Sequence, residues 1–133
     1  MDEADVQTLK AWLQAAAVRW GLDPAHRQQW GMPSNMPHAK QNTWAYGLER
    51  LLLGYAAGQA EGGASWQGVL PLPQVAGLSA LKVGYLAAWL DSVAISLEQL
   101  SAEHTPADWC AVMHALLARF FEADNEADER LLL

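Results

Sequence analysis

Cys110 and His114 stand four residues apart, the spacing that sets a thiol and an imidazole on one flank of a helix. A thiolate with its base, or two metal ligands, can be built that way. Zinc needs three or four ligands, however, and the sequence has neither a CxxC nor an HxxxH pair to complete a set. A nucleophilic pair also needs a third group to orient its base. The two residues therefore read as ordinary helix flank. His26, His38 and His104 fall singly near expected loops or helix ends and read as surface residues. Asp124, Glu126, Asp128 and Glu129 have the side chains of a nuclease's metal site, but such sites draw carboxylates from rigid, partly buried positions, so this run reads as a solvated acidic face. Gly62-Gly63 lacks the lysine and the strand-to-helix setting of a phosphate-binding loop. No catalytic residue, metal ligand or cofactor site emerges.

Cations and aromatics remain. The net charge of −7 argues against a free-standing DNA binder, which carries a basic face. The charge is unevenly spread. Residues 19–50 hold four basic residues against two acidic, whereas residues 51–133 hold three against ten. Arg19, Arg27, Lys40 and Arg50 make up the one net-basic window and mark the expected nucleic-acid or partner face. Arg19 and Arg50 are in addition expected to be tied to local carbonyls or acids. Trp30 and Trp66, near loops, have the ring chemistry to stack bases, although an edge that packs against other protein is the favoured account of them.

The elements that position these residues are helical. Val6, Leu9, Leu13, Ala16 and Trp20 recur at helical spacing behind an acidic start, predicting a first helix that ends at Gly21. Asp23-Pro24 is a cap followed by proline at the first helical position, predicting a short helix through Trp30 that Gly31 stops. Met32 to Gln41 and Gln59 to Ala76, holding four of the six prolines between them, are two long irregular stretches. Leu78, Leu81, Tyr85, Trp89, Val93 and Leu100, flanked by Leu86 and Leu97, predict a buried stripe on a helix over 78–100, with Lys82 on its flank as a snorkelling stem or as the partner of an acid such as Glu49. Thr105-Pro106-Ala107-Asp108 is a capped start to a further helix, with Trp109, Val112, Met113, Leu116, Leu117 and Phe120 as its buried face. The acidic tail, 123–133, reads as an incomplete helix. No alternating pattern is long enough for a strand, so the expectation is all-α: one domain over 1–133, a small bundle of four to five helices.

At the centre lies Asn42 to Gly58, capped by Asn42 or Thr43 at one end and closed by Gly58 at the other. Trp44, Leu48, Leu51 and Tyr55 form one stripe with Leu52 beside it, and only Glu49 and Arg50 are charged, predicting a helix enclosed on more than one side. Gly47 and Gly54 each cost about 1 kcal/mol against alanine, so a close backbone approach is expected to offset them. Thr43-Trp44, Gly47-Leu48 and Arg50 through Ala56 resemble a signature segment of the RecC family, the gamma subunit of exodeoxyribonuclease V. Upstream, Arg19-Trp20-Gly21-Leu22-Asp23 is similar to that family's Arg-Trp-Gly-Leu-Asp element, and downstream Trp66, Val69-Leu70-Pro71 and Gly77 resemble its Trp…Val-Leu-Pro…Gly loop. Thr105-Pro106, Asp108-Trp109 and Phe120-Phe121 resemble its next helix. Ala45, Tyr46 and Pro73-Gln74-Val75 depart from the pattern.

The resemblance implies an excised, non-catalytic scaffold segment of a helicase-like subunit, comparable to the 2B insertion subdomain of related helicases. It implies the other subunits of a RecBCD-like complex as partners, and DNA engaged through the full complex, weakly or not at all by this segment. It assigns structural roles to Arg19, Trp20, Gly21, Thr43, Trp44, Gly47, Leu48, Arg50, Leu51, Leu52, Gly54 and Tyr55. The reading from a different class is a stand-alone helical adaptor whose apolar edge docks a partner. A homodimer through an uncovered apolar face is a further expected partner state. One cysteine, no signal peptide and no apolar run of about 18 residues predict a cytoplasmic protein with no membrane partner.

Overall fold

The computed structural model describes residues 3–57, 65–73, 75 and 80–122. Five helices follow in order: α1 Glu3–Ala15, α2 Pro24–Gln29, α3 Trp44–Ala57, α4 Ala80–Ser101 and α5 Pro106–Phe120. Among the described residues the only β pairing is an isolated bridge, Trp66 with Val69. The fold is all-α, as the sequence predicts. The chain divides into two compact units, Met1–Ala88 and Trp89–Leu133, with the boundary inside α4. Gly58, Gly77, Leu78 and the acidic tail lie outside the described residues.

In the first unit, α1 ends six residues before the predicted stop at Gly21. Ala17 takes a left-handed backbone, φ 57°. Its N–H then donates to the Gln14 carbonyl at 2.9 Å and that of Val18 to the Leu13 carbonyl at 3.1 Å, the paired bonds that close a helix. Leu9, Trp12 and Ala16 are buried, and Trp20 lies beyond the helix, partly in water. The short helix α2 matches its prediction: Asp23 Oδ1 accepts the His26 N–H at 2.7 Å, Pro24 opens the helix, and Gly31 at φ 87° ends it.

On α3 the buried line differs from the predicted one. It runs through Thr43, Gly47, Leu51 and Gly54, while Trp44 and Leu48 are half-buried and Leu52 and Tyr55 face water. The two glycines let the neighbouring chain lie against the backbone, so the closest packing follows the smallest side chains, not the largest. Among the described residues the predicted enclosure on more than one side is not met, because Ala45, Leu52 and Ala56 share an exposed side.

The predicted stripe of α4 is likewise rotated. Leu86, expected on the flank of that stripe, is buried together with Val83 and Leu90, whereas Leu81, Tyr85 and Trp89 are exposed. Lys82 pairs with Asp5 at 2.7 Å and not with Glu49. The sequence expectation also fails on length: an 18-residue window of α4 has a mean hydropathy of 1.3, so by length and composition this helix could cross a bilayer. A packing helix passes the same test, and Asp91 sits near the middle of this one, where insertion into a bilayer would cost about 3 kcal/mol.

In the second unit, the end of α4 and α5 are joined by residues 102–105. Thr105 caps α5 in a capping box: its hydroxyl accepts the Asp108 N–H and the Asp108 carboxylate accepts the Thr105 N–H at 3.2 Å. The bond from the Thr105 hydroxyl to Asp108 Oδ2, at 2.6 Å, is the main cause that holds the Asp108 carboxyl below its ordinary range. Arg119 Nη1 donates to Ser96 Oγ at 2.7 Å and to Gln99 Oε1 at 3.2 Å, tying the two helices. Contrary to prediction, no residue of α5 is buried. A helical hairpin offers each helix one neighbour within its unit, too little to enclose a core.

Candidate partner and nucleic-acid interface

The five residues Arg19-Trp20-Gly21-Leu22-Asp23 form the turn between α1 and α2, and each commits its backbone or side chain to a neighbouring element. The Arg19 N–H donates to the Asn42 carbonyl at 2.9 Å. The carbonyls of Gly21 and Leu22 accept the N–H groups of Trp44 at 3.0 Å and Ala45 at 2.9 Å. Those are donors of the first turn of α3, which has no intrahelical acceptors for them. The next donor, from Tyr46, goes to Thr43 Oγ1 at 3.2 Å, and that hydroxyl itself donates to the Lys40 carbonyl at 2.7 Å. Thr43 is fully buried. The start of α3 is thus satisfied by the turn after α1 and by its own threonine cap, Thr43 being the cap that the sequence left open against Asn42.

Arg27, from α2, fills the middle of this arrangement. It is 5% exposed. Its Nε and Nη2 donate to the Trp20 carbonyl at 3.2 and 2.8 Å, and Nη1 donates to the carbonyls of Ala39 at 3.0 Å and Gln41 at 2.8 Å. Its guanidinium lies 4.9 Å from the Trp20 ring centroid. A Cβ at Gly21 would stand 2.7 Å from Arg27 Cγ, and Gly21 holds φ 77°, so glycine is required there on two counts.

Along α3, Gly47 faces Val18: a Cβ there would run into Val18 Cγ2. Gly54 faces the backbone of Leu72, whose carbonyl oxygen a Cβ would strike. Both close approaches expected from the sequence are present. Arg50 fixes the same segment by donating from Nε to the Leu70 carbonyl at 2.9 Å and from Nη1 to the Ala16 carbonyl at 3.1 Å, while its own carbonyl accepts the Leu72 N–H at 3.0 Å. Trp66 and Val69, upstream of that clamp, close a two-residue turn with Gln67 and Gly68 at φ 49° and 80°, the twist a tight hairpin requires.

The four cations of the basic window are therefore not gathered on one surface. Arg27 is enclosed, which withdraws it from the predicted face. Arg50 is half-buried and bonded to two carbonyls, the local tie expected for it. Lys40 is exposed, pairs with Glu49 at 2.5 Å and lies 5.7 Å from the Tyr46 ring centroid. Arg19 is exposed, and its backbone carries the hydrogen bond described above. Trp30 and Trp66 are the most open aromatic side chains, 74% and 67% exposed.

Cys110 and His114 are both exposed on α5, and among the described residues no group of three or more His, Cys, Asp or Glu side chains is placed to hold a metal ion. His26 Nδ1 accepts the Leu22 N–H at 3.4 Å, His38 meets Gln41 at 3.0 Å, and His104 Nε2 bonds the Gln99 carbonyl at 2.6 Å, with its ring edge-on to Trp109. Sequence reasoning missed the depth of Arg27 and the Arg119, Ser96 and Gln99 link. The one signal for Arg27 was an arginine following the capped Asp23-Pro24 start, and that does not distinguish a buried guanidinium from a surface one. In total these contacts fix backbone to backbone, and they place no acid, base or nucleophile around a common point.

Sequence comparison finds relatives of one description. The chain is 34% identical over 131 residues to the RecBCD enzyme subunit RecC of Escherichia coli K12, an alignment that covers 98% of this chain and 11% of that protein. It is 28% identical over 129 residues to RecBCD enzyme subunit RecC of Buchnera aphidicola subsp. Acyrthosiphon pisum, covering 97% of this chain and 12% of that protein. To the subunit of the same description from Mycobacterium tuberculosis H37Rv it is 30% identical over 119 residues, covering 74% and 10%. The chain thus spans about a tenth of the length of these relatives. The family model for the fourth domain of RecBCD enzyme subunit RecC matches residues 1–133, and the chain belongs to that family.

Proposed function

We propose that this chain is a non-catalytic helical scaffold segment of a RecC-like subunit of exodeoxyribonuclease V, serving DNA unwinding and degradation in recombinational double-strand break repair. The observation that carries the reading is how the family-motif residues are used. Arg19, Trp20, Gly21, Thr43, Gly47, Arg50 and Gly54 all serve hydrogen bonds or close approaches within the chain. Residues committed in that way brace a fold. In this reading the segment acts as one domain, a helical insertion of the 2B type. Its partners are the other subunits of the complex, DNA is met through the whole assembly, and the setting is cytoplasmic without a membrane. The ATPase and nuclease chemistry belongs to the partner subunits.

Arg19 and Lys40 are the two cations of the basic window that remain exposed, and they carry whatever share of DNA or partner contact this segment has. Replacing both with glutamine in the assembled complex tests this. Each phosphate that is deprived of its cation should lower the slope of log K against log salt by roughly 0.7 to 0.9. An unchanged slope removes both residues from the DNA path and leaves the bracing role. A loss of catalytic turnover with unchanged assembly and unchanged DNA affinity would overturn the scaffold reading itself.

A further inference from the structure

The backbone around Lys40 is held from inside the fold. Arg27 Nη1 takes the carbonyls on either side of it, Ala39 at 3.0 Å and Gln41 at 2.8 Å. The Lys40 carbonyl itself accepts the Thr43 hydroxyl at 2.7 Å and the Thr43 N–H at 3.4 Å. Three successive carbonyls are thus bonded, and both residues that bond them, Arg27 and Thr43, are buried. His38 and Asn42, two residues before Lys40 and two after, hold left-handed backbones at φ 67° and 63°, which residues with a Cβ adopt uncommonly. The side chain is held differently. It is 47% exposed and meets only Glu49 and the face of Tyr46, both from α3.

We propose that Arg27 is a positioning residue for Lys40: from within the fold it sets where this exposed cation meets a DNA phosphate, and it touches no DNA itself. This rests on the reading that Lys40 shares in the DNA contact of the segment. Arg27 is 5% exposed and each of its three nitrogens is given to a carbonyl, so no phosphate reaches it. Lysine binds phosphate as a point charge on a flexible stem, and a contact of that kind gains from a root that is already fixed, because less freedom is lost on binding. Glu49 does not stand in the way. An exposed ion pair is weak and is screened by salt, so Lys40 can exchange the carboxylate for a phosphate.

The test uses the assembled complex that carries this segment and a fluorescein-labelled DNA duplex. Affinity is measured at about 50 and about 200 mM salt for the unaltered complex, Lys40→Gln, Arg27→Lys and the double variant. Loss of one phosphate contact changes affinity over that range by about threefold, so the deficit of Lys40→Gln should be about threefold larger at the lower salt. Arg27→Lys keeps the charge and should still show a deficit of the same salt dependence, up to that size. In the Lys40→Gln background Arg27→Lys should add nothing, since the cation it positions is gone. An Arg27→Lys deficit that persists in that background is general loosening of the fold and overturns the proposal, as does Arg27→Lys binding like the unaltered complex. If Arg27→Lys does not assemble, Thr43→Ala replaces it: this frees the Lys40 carbonyl, should weaken binding only where Lys40 is present, and should be rescued by Thr43→Ser. Weakening that ignores Lys40, or none, overturns the proposal. Each of those outcomes leaves the DNA reading of Lys40 intact, whereas Lys40→Gln with unaltered affinity at both salts refutes that reading and the proposal with it.

Discussion

Arg27 holds the Trp20 carbonyl with two of its nitrogens, Nε and Nη2, while its guanidinium lies 4.9 Å from the centroid of the ring on the same tryptophan. With the Ala39 and Gln41 carbonyls on Nη1, one buried cation joins the turn after α1, the helix α2 and the loop that leads into α3. A planar fork can serve three carbonyls at once, and a lysine ammonium on a flexible stem cannot. Arg27→Lys should therefore cost about 2–4 kcal/mol, since it strands buried acceptors although the charge is kept. Urea unfolding measures it. A loss below about 0.5 kcal/mol, the range of ordinary surface changes, would show that water replaces the guanidinium without penalty.

The glycines of α3 and α4 should respond to alanine in opposite directions. Gly84 in α4 has nothing within 4 Å of the place a methyl would take, so Gly84→Ala should gain about 0.5–1 kcal/mol from helix propensity alone. Gly54→Ala drives a methyl into the Leu72 backbone, which cannot swing aside, and should lose about 2 kcal/mol or more despite the same propensity gain. Gly47→Ala meets the Val18 side chain instead. Its loss should shrink when Val18→Ala is added, because the second change removes the obstructing methyl. Additive losses in that double-mutant cycle would show that the two sites do not share the contact.

Ala17 closes α1 in a conformation that disfavours a Cβ. A left-handed backbone costs an L-residue roughly 1–2 kcal/mol, and glycine avoids this at an entropic cost of about 0.5–1 kcal/mol in the unfolded chain. Ala17→Gly should thus stabilise the chain by about 0.5–1 kcal/mol, read as a higher urea midpoint at constant m-value. A lower midpoint would mean that the alanine methyl makes a contact worth more than the strain.

The parts of this fold that were legible in the sequence are those fixed by neighbours along the chain. Asp23-Pro24 and Thr105-Pro106-Ala107-Asp108 announce caps because the cap and its acceptor lie within one turn, and Gly31 ends α2 for the same reason. The close approaches at Gly47 and Gly54 were legible as a need without a partner: a glycine cost inside a helix must be offset, but nothing local names Val18 or Leu72. Which side of α4 packs was not legible. Leu81, Tyr85 and Trp89 make as good an apolar line as Val83, Leu86 and Leu90, and periodicity cannot choose between two apolar lines on one helix. The burial of Arg27 depends on carbonyls contributed by residues 20, 39 and 41, a three-dimensional coincidence that charge counting reads as a basic surface.

The capping box of α5 supplies a pH dependence whose sign follows from its bonds. The Asp108 carboxyl is lowered from its ordinary value of 3.8, first by the Thr105 hydroxyl and then by the Thr105 N–H. In the unfolded chain those bonds are absent, so below about pH 3.8 the unfolded state takes up a proton that the folded state still resists. The contribution is complete above that value and is lost as pH falls through the lower, folded value. Thr105→Ala removes the principal cause, so the Asp108 midpoint, followed by carboxyl carbon NMR, should move back up towards 3.8. Asp108→Asn should remove this part of the acid-dependent loss of stability while leaving stability at neutral pH dependent on the threonine cap. A midpoint in Thr105→Ala that stays where it was would assign the depression to the backbone N–H, which alanine keeps, and to the neighbouring His104, in place of the hydroxyl.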